Sequence, residues 1–197
     1  LMFMIVGGLL AMLVRWKLGF PDQPVPLGTH LPFLAENEGH IGDDVYNMAF
    51  SMHGSVMIFL AIIPVLAGAF GNFLIPLMIG ARDMAFPKLN MLSFWIALPG
   101  GILMATSFFV EGGAAQTGWT AYPPLSVVNK SGQVLFNLAV ITFGLVSILG
   151  GINFIVTIHK LRVPGMTWFR MPLMVWGLYA TAIIQVLATP VLGITLV

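Results

Sequence analysis

The sequence contains a membrane-length apolar stretch, residues 45–80, in which His53 is the one side chain that titrates near neutral pH. A helix needs about 20 mainly apolar residues to cross a bilayer, so this stretch is long enough. An ionisable group at membrane depth is costly and is by default a hypothesis of function. Two interpretations of His53 remain open here. It is either a functional ligand or a core histidine hydrogen-bonded to a neighbouring helix.

The composition points to a membrane protein throughout. Hydrophobic residues make up 58% of the 197 residues and charged residues 8%, whereas about 25% of a soluble domain is charged. The net charge of +1 favours neither nucleic acid nor an acidic substrate as partner. Because cysteine is absent, disulfides, thiolate metal sites and c-type haem attachment are excluded within this sequence. Both ends lie inside apolar runs, so we expect an internal piece of a longer polypeptide.

Hydropathy and turn residues divide the chain into five predicted spanning helices. Their predicted bounds are residues 1–19, 44–80, 91–111, 132–159 and 168–197. Pro64 and Pro76 are expected to kink the second span without ending it, and Pro99 to bend the third. The prediction is therefore an all-α, polytopic transmembrane helical bundle that forms one domain over residues 1–197.

The distribution of Lys and Arg between the loops predicts the orientation of the spans. One side carries five of these residues, namely Arg82, Lys88, Lys160, Arg162 and Arg170, and the other side carries three, namely Arg15, Lys17 and Lys130. Because the more positive side faces inward, Asp83 is predicted on the inner side and Trp119 on the outer side.

A neutral imidazole inside a spanning helix has the chemistry of an axial haem ligand. Ser51 and Gly54 beside His53 leave room for a flat macrocycle, although small residues are also common at helix interfaces. One histidine supplies one axial ligand, so a second ligand would come from other sequence. A loop over residues 117–125 brings Trp119 and Tyr122 to the same side, either as interfacial belt residues or as a lid over polar groups such as haem propionates.

Polar residues in and beside the second and fourth spans suggest a proton path. Asp83, Asn72 and Asn90 form one set, which Ser147 and Asn153 on the fourth span would extend. A carboxylate at the boundary collects protons from water, and an amide at membrane depth must find hydrogen-bond partners. The alternative for Asp83 is a surface ion pair with Arg82, worth about 0–1 kcal/mol.

Five motifs in fixed order resemble those of subunit I of the haem–copper oxidases, of the cytochrome c oxidase type. They are MHGSVMIF (52–59), GAFGNFLIPLMIGARDMAFPKLN (68–90), SFW (93–95), TGWTAYPPL (117–125) and SILGGINFIVTI (147–158). The resemblance implies a redox-driven proton pump that reduces O2 to water. Subunit I of this family has twelve helices, and this chain would supply about five of these spans.

The resemblance also implies roles for individual residues near a low-spin haem, expected to be of the haem a type. His53 would be an axial ligand of the haem iron. Arg15 would bind the haem formyl group, with Tyr46 close to the same haem, and Trp119 would donate to a propionate. The entrance of the proton-uptake channel would be formed by Asp83 with Asn72 and Asn90, and its higher part by Ser147 and Asn153.

Other family features are expected outside this sequence. The second low-spin ligand, the high-spin haem and the copper ligands lie on later helices in the family, so we expect no catalytic residue in these 197 positions. The implied partners are oxidase subunits II and III, cytochrome c and membrane lipid, in a bacterial plasma membrane rather than a mitochondrial one. At the position of Lys17 some members of the family have an acidic residue that binds a cation. The lysine argues against such a cation site in this chain.

Two alternatives to a cytochrome c oxidase remain open from sequence. A quinol oxidase is the first, and the apolar Val45 and Met48 near His53 argue against it because the quinol branch places polar residues there. The second is a haem-free helical transporter or scaffold, in which His53 would serve helix packing and Asp83 would be a surface anchor.

Overall fold

The computed structural model describes residues 2–35, 37–128 and 130–196. Five helices in these ranges are long and apolar enough to cross a membrane: α1 (Met2–Gly19), α2 (Asp43–Ile79), α3 (Pro87–Phe109), α4 (Lys130–Lys160) and α5 (Leu173–Thr195). The ranges contain no β-strand. Short helical turns occupy Gly28–His30, Pro32–Ala35, Leu125–Val128 and Trp168–Arg170. The all-α, polytopic prediction is confirmed.

The helix bounds differ from the predicted ones mainly at two starts. Helix α3 begins at Pro87 rather than at residue 91, because proline is pre-organised for the first helical position and has no N–H to leave unpaired there. Helix α5 begins at Leu173 rather than at residue 168. The apolar residues before it include a separate 3₁₀ turn and Pro172.

Helix α2 continues through both of its prolines, as predicted, but two segments of it have wider turns than an α-helix. It is α-helical over Asp43–Ser55 and Asn72–Ile79, and π-helical over Val56–Ile62 and Pro64–Gly71. A proline ring clashes with the carbonyl of the preceding turn and offers no N–H. The wider i→i+5 turns accommodate Pro64 without ending the helix. The helix ends at Gly80, whose φ of 74° suits a left-handed cap.

The contacts of the chain divide it into two compact units. Unit 1 comprises residues 1–62 and 101–138, and unit 2 comprises residues 63–100 and 139–197. The prediction of one single domain therefore stays a prediction. In unit 1, helix α1 packs along the first half of α2.

Unit 2 has its own hydrophobic core. Its fully buried members come from the end of α2, from α4 and from α5: Ile75, Ile79, Phe154, Ile158, Val175 and Ala182. Gly71 permits this packing, because a Cβ there would lie 2.6 Å from the Phe154 ring. The turn between α4 and α5 is bound to the core by the Val163 N–H, which donates to the Ile79 carbonyl at 3.0 Å.

Candidate functional site

The imidazole of His53 is bound to the backbone of helix α1. Its Nδ1 atom lies 2.8 Å from the carbonyl oxygen of Gly7. A carbonyl oxygen only accepts hydrogen bonds, so Nδ1 carries the proton and donates it. The other ring nitrogen, Nε2, is then the unprotonated one with a free lone pair. This arrangement, with one ring nitrogen donating to a carbonyl, is the usual support of a metal-binding histidine.

Glycine at position 7 allows the close approach of α1 to α2. A Cβ built on Gly7 would lie 2.6 Å from Sδ and 2.8 Å from Cγ of Met57. Beside the imidazole, by contrast, a Cβ built on Gly54 would meet nothing within 4 Å. The half-buried His53 therefore combines a fixed ring with open space along its own helix. These residues fit a flat iron-bearing group, and the Gly7 contact also fits a histidine that serves helix packing, so both interpretations of His53 stay open.

Three further residues of the predicted haem surroundings belong to the same unit as His53. Arg15 is exposed at the end of α1, Tyr46 is half-buried in the first part of α2, and Trp119 is 43% exposed. The Trp119 ring packs edge-on against Phe59, with centroids 6.3 Å apart. Among the described residues, the polar atoms of these three side chains make no hydrogen bond to protein, so they are available to an external acceptor or donor.

Asp83 lies in the loop between α2 and α3 and is exposed. Its Oδ1 accepts the N–H of Met84 at 2.7 Å. Within the described part of the chain it forms no ion pair with Arg82, so the ion-pair alternative is not seen.

Asn72 stands where the second π-helical segment of α2 returns to α-helix. Its Nδ2 donates to the Gly68 carbonyl at 2.6 Å, one turn earlier in the same helix. Its Oδ1 is buried and has no protein partner. A buried acceptor without a partner costs about 1–3 kcal/mol, and a water molecule is the usual way to satisfy one.

Asn153 and Thr157 of α4 bind the loop that carries Asp83. The Asn153 amide accepts the N–H of Phe86 at 3.0 Å and donates to the carbonyl of Phe86 at 3.3 Å. Thr157 Oγ1 accepts the N–H of Ala85 at 2.9 Å and donates to the Asn153 carbonyl at 2.6 Å. Both side chains are almost fully buried. Sequence reasoning found Asn153 but missed Thr157, although it lies four residues later on the same helix face.

The remaining two polar residues of this set make fewer contacts. Asn90 is half-buried, and its carbonyl accepts the Ser93 hydroxyl at 2.7 Å. Ser147 is half-buried on α4, and its hydroxyl makes no hydrogen bond with the described residues. All five predicted proton-path residues lie in unit 2, whereas the four predicted haem residues lie in unit 1.

Comparison with known proteins gives one family over the whole chain. The family model described as "Cytochrome C and Quinol oxidase polypeptide I" matches residues 1–197. This match agrees with the resemblance inferred from the motifs.

Curated bacterial proteins are similar to the chain over almost its full length. A "Cytochrome c oxidase subunit 1" of Thermostichus vulcanus is 45% identical over 99% of this chain and 32% of its own length. The protein of the same name from Synechocystis sp. is 43% identical over 100% of this chain and 32% of its own. A "Probable cytochrome c oxidase subunit 1-beta" of Nocardia farcinica is 42% identical over 96% of this chain and 30% of its own. The chain spans about a third of the length of these relatives.

Proposed function

Because the chain belongs to the cytochrome c and quinol oxidase polypeptide I family, we propose that it forms part of the catalytic subunit of a haem–copper terminal oxidase. The complete subunit would reduce O2 to water and couple this to proton pumping. The names of the relatives support cytochrome c as the electron donor. The apolar Val45 and Met48 near His53 also argue against a quinol.

Within this proposal His53 is an axial ligand of the low-spin haem. The observation that carries it is the hydrogen bond from Nδ1 to the Gly7 carbonyl, which leaves the Nε2 lone pair for iron. When bound, the haem supplies one-electron redox chemistry. The carbonyl makes the imidazole a stronger donor to iron and fixes the plane of the ring.

Arg15, Tyr46 and Trp119 surround the same group in this proposal. The Arg15 guanidinium offers charged N–H donors to the haem formyl oxygen, and the Trp119 indole N–H donates to a propionate carboxylate. Trp119 keeps its ring in place through the contact with Phe59. Tyr46 lies two turns before His53 on α2 and would border the haem from its own helix.

The unit 2 residues would take up protons. Asp83 is exposed and would collect protons from water through its carboxylate, one oxygen of which accepts the Met84 N–H. The unpartnered Oδ1 of Asn72 supports an ordered water beside it, since an acceptor at membrane depth needs a partner. Asn90, Ser147 and Asn153 would extend the row of polar groups along which water is held.

The remaining cofactors and ligands of the proposed oxidase are expected from residues outside these 197 positions. We expect a haem a type low-spin haem here, with the high-spin haem, the copper centre and the second low-spin ligand contributed by later helices. Subunits II and III, cytochrome c and membrane lipid are the expected partners. The bacterial relatives support a bacterial plasma membrane as the location.

The test is the reduced-minus-oxidised spectrum of the complete oxidase complex carrying His53→Ala. We expect loss of the low-spin haem band with the subunit still inserted in the membrane. His159→Ala is the matched control, because it removes a histidine that is outside the proposed haem site. His159 lies in the last turn of α4, and its Nε2 atom is 2.7 Å from the Tyr179 hydroxyl. A normal low-spin band in His53→Ala would refute the ligand role. A wild-type complex without any low-spin band would favour a haem-free scaffold.

A further inference from the structure

The loop that carries Trp119 is bound to helix α2 by two buried side chains. The N–H of Gly118 donates to Ser51 Oγ at 2.9 Å, and the N–H of Ala114 donates to Met48 Sδ at 3.3 Å. Ser51 is 5% exposed and Met48 is 2% exposed. The loop therefore takes its position from the helix turn that comes just before His53.

Helix α4 supports the same loop from its own side within unit 1. Thr117 Oγ1 donates to Gln133 Oε1 at 2.8 Å, and Gln133 Nε2 donates to Asn137 Oδ1 at 2.8 Å. Thr117 and Gln133 are buried. Gly118 has a φ of 69°, a conformation that a residue with a Cβ rarely adopts. The residue immediately before Trp119 is thus a glycine in the left-handed conformation whose N–H is bound by Ser51.

One turn of α2 serves two different neighbours. Ser51 and His53 are two residues apart, so their side chains leave an α-helix in directions about 160° apart. Ser51 meets the Gly118 N–H, and His53 meets the Gly7 carbonyl. Ser51, which binds the N–H next to Trp119, and His53 therefore lie in the same turn of α2.

We propose that Ser51 is a positioning residue that holds the Trp119 loop at a fixed place relative to His53 and thereby sets the properties of the low-spin haem. The inference rests on the proposed function. Ser51 itself touches neither the iron nor the propionates. Its hydroxyl accepts the Gly118 N–H, which fixes the direction from which the Trp119 indole N–H reaches a propionate. A hydrogen bond to a propionate offsets negative charge near the iron and favours the reduced state.

The experiment compares Ser51→Ala with Ser55→Ala in the complete complex. Ser55 is the matched control: it is 1% exposed, lies one turn later on α2, and donates to the Ser51 carbonyl of its own helix at 2.8 Å. Three properties are measured: the position of the low-spin haem band, its midpoint potential, and hydrogen–deuterium exchange of a peptide covering residues 113–119. The exchange measurement reports on the loop directly and does not depend on turnover.

For Ser51→Ala we expect a displaced haem band, a lower midpoint potential and exchange of the loop amides at least several-fold faster than in wild type. Ser55→Ala should match wild type in all three. Ser51→Cys nearly keeps the size of the side chain but offers a weaker acceptor. It should therefore change the band, the potential and the exchange rate in the same direction by a smaller amount. This variant tests the proposal even where Ser51→Ala does not assemble.

The outcomes separate this inference from the proposed function. If His53→Ala loses the low-spin band while Ser51→Ala and Ser51→Cys behave like Ser55→Ala, the positioning role of Ser51 is wrong and the ligand role of His53 stands. If His53→Ala keeps the band, the proposed function fails. Faster loop exchange with an unchanged band and potential would overturn the effect on the haem.

Discussion

His53 and Gly7, 46 residues apart in sequence, are joined by a 2.8 Å contact between Nδ1 and the backbone carbonyl. Within α1 the same carbonyl faces the N–H four residues later, and its two lone pairs allow both bonds. A mid-helix carbonyl is well suited to this task because its direction is set by the helix and does not depend on a side-chain rotamer. The tautomer of His53 is therefore determined by the packing of α1 on α2.

The first prediction concerns the close approach at Gly7. In Gly7→Ala the new Cβ would lie 2.6 Å from Met57 Sδ, so α1 must move or Met57 must repack. We expect the free energy of unfolding to fall by about 1–2 kcal/mol and the low-spin haem band to shift as the His53 hydrogen bond lengthens. Thermal denaturation followed at the haem band measures both.

The control for this variant lies in the next residue. A Cβ on Gly8 would meet nothing within 4 Å, so Gly8→Ala should leave the band unchanged and raise the free energy of unfolding by about 0.5–1 kcal/mol, the usual gain of Ala over Gly inside a helix. Combining Gly7→Ala with Met57→Ala removes the clash and should restore the wild-type band position. Equal behaviour of Gly7→Ala and Gly8→Ala would show that the approach of α1 to His53 is less tight than described.

The second prediction concerns the charge of Asp83. Asp83→Asn keeps an oxygen that accepts the Met84 N–H, so the loop should keep its conformation while the proton-collecting carboxylate is lost. We expect proton uptake to slow by tenfold or more in the complete complex in vesicles. Glu111→Gln is the control, because it removes an exposed carboxylate after α3, on the side predicted to face outward. Unchanged turnover and proton stoichiometry in Asp83→Asn would contradict the inlet role.

The third prediction separates stability from function at Asn72. Asn72→Leu removes a buried oxygen without a partner and also one hydrogen bond to Gly68. These two effects oppose each other, so we expect stability to change by less than about 1 kcal/mol. Proton uptake should nevertheless slow several-fold if Asn72 has the proposed role, because a water bound at its Oδ1 would lose that acceptor. Phe73→Leu, at the exposed neighbouring position, is the control and should change neither the stability nor the rate of proton uptake. Proton uptake at the wild-type rate in Asn72→Leu would contradict the water-holding role of Asn72.

The fourth prediction concerns the buried hydroxyl of Thr157. Thr157→Val leaves the Ala85 N–H without its acceptor and should cost about 1–3 kcal/mol. Trypsin should then cleave faster at Arg82 and Lys88, which flank this part of the loop. Thr181→Val is the control, since Thr181 is exposed and its hydroxyl binds only the Gly177 carbonyl of its own helix. Equal cleavage rates in both variants would mean that Thr157 does not hold the loop.

The five spans could be predicted from sequence because a bilayer imposes one simple requirement, a long apolar run that satisfies its own backbone. Turn residues then placed most boundaries within a few positions. The two larger errors have a common cause. Pro87 begins a helix where hydropathy is still low, and at the other boundary Pro172 follows a separate 3₁₀ turn and stands directly before the first helical residue. Proline therefore decided those boundaries.

The site could be predicted only as a set of residue types. His53 was identifiable because an ionisable group in an apolar run needs a reason, and Asp83 because a carboxylate sits at a span boundary. Their partners were not identifiable. Gly7 contributes a backbone carbonyl, which is the same in every residue, and Thr157 contributes a hydroxyl that accepts one main-chain N–H, that of Ala85, in a distant loop. Such contacts depend on helix register, which a single sequence does not specify.

The π-helical segments of α2 change which of its residues share a face. A uniform α-helix turns each side chain by 100° per residue. The i→i+5 turns over Val56–Ile62 and Pro64–Gly71 turn each side chain by less. A helical wheel drawn at 100° per residue would therefore assign side chains inside these two segments to the wrong face, and apolar periodicity counted through them would mislead in the same way.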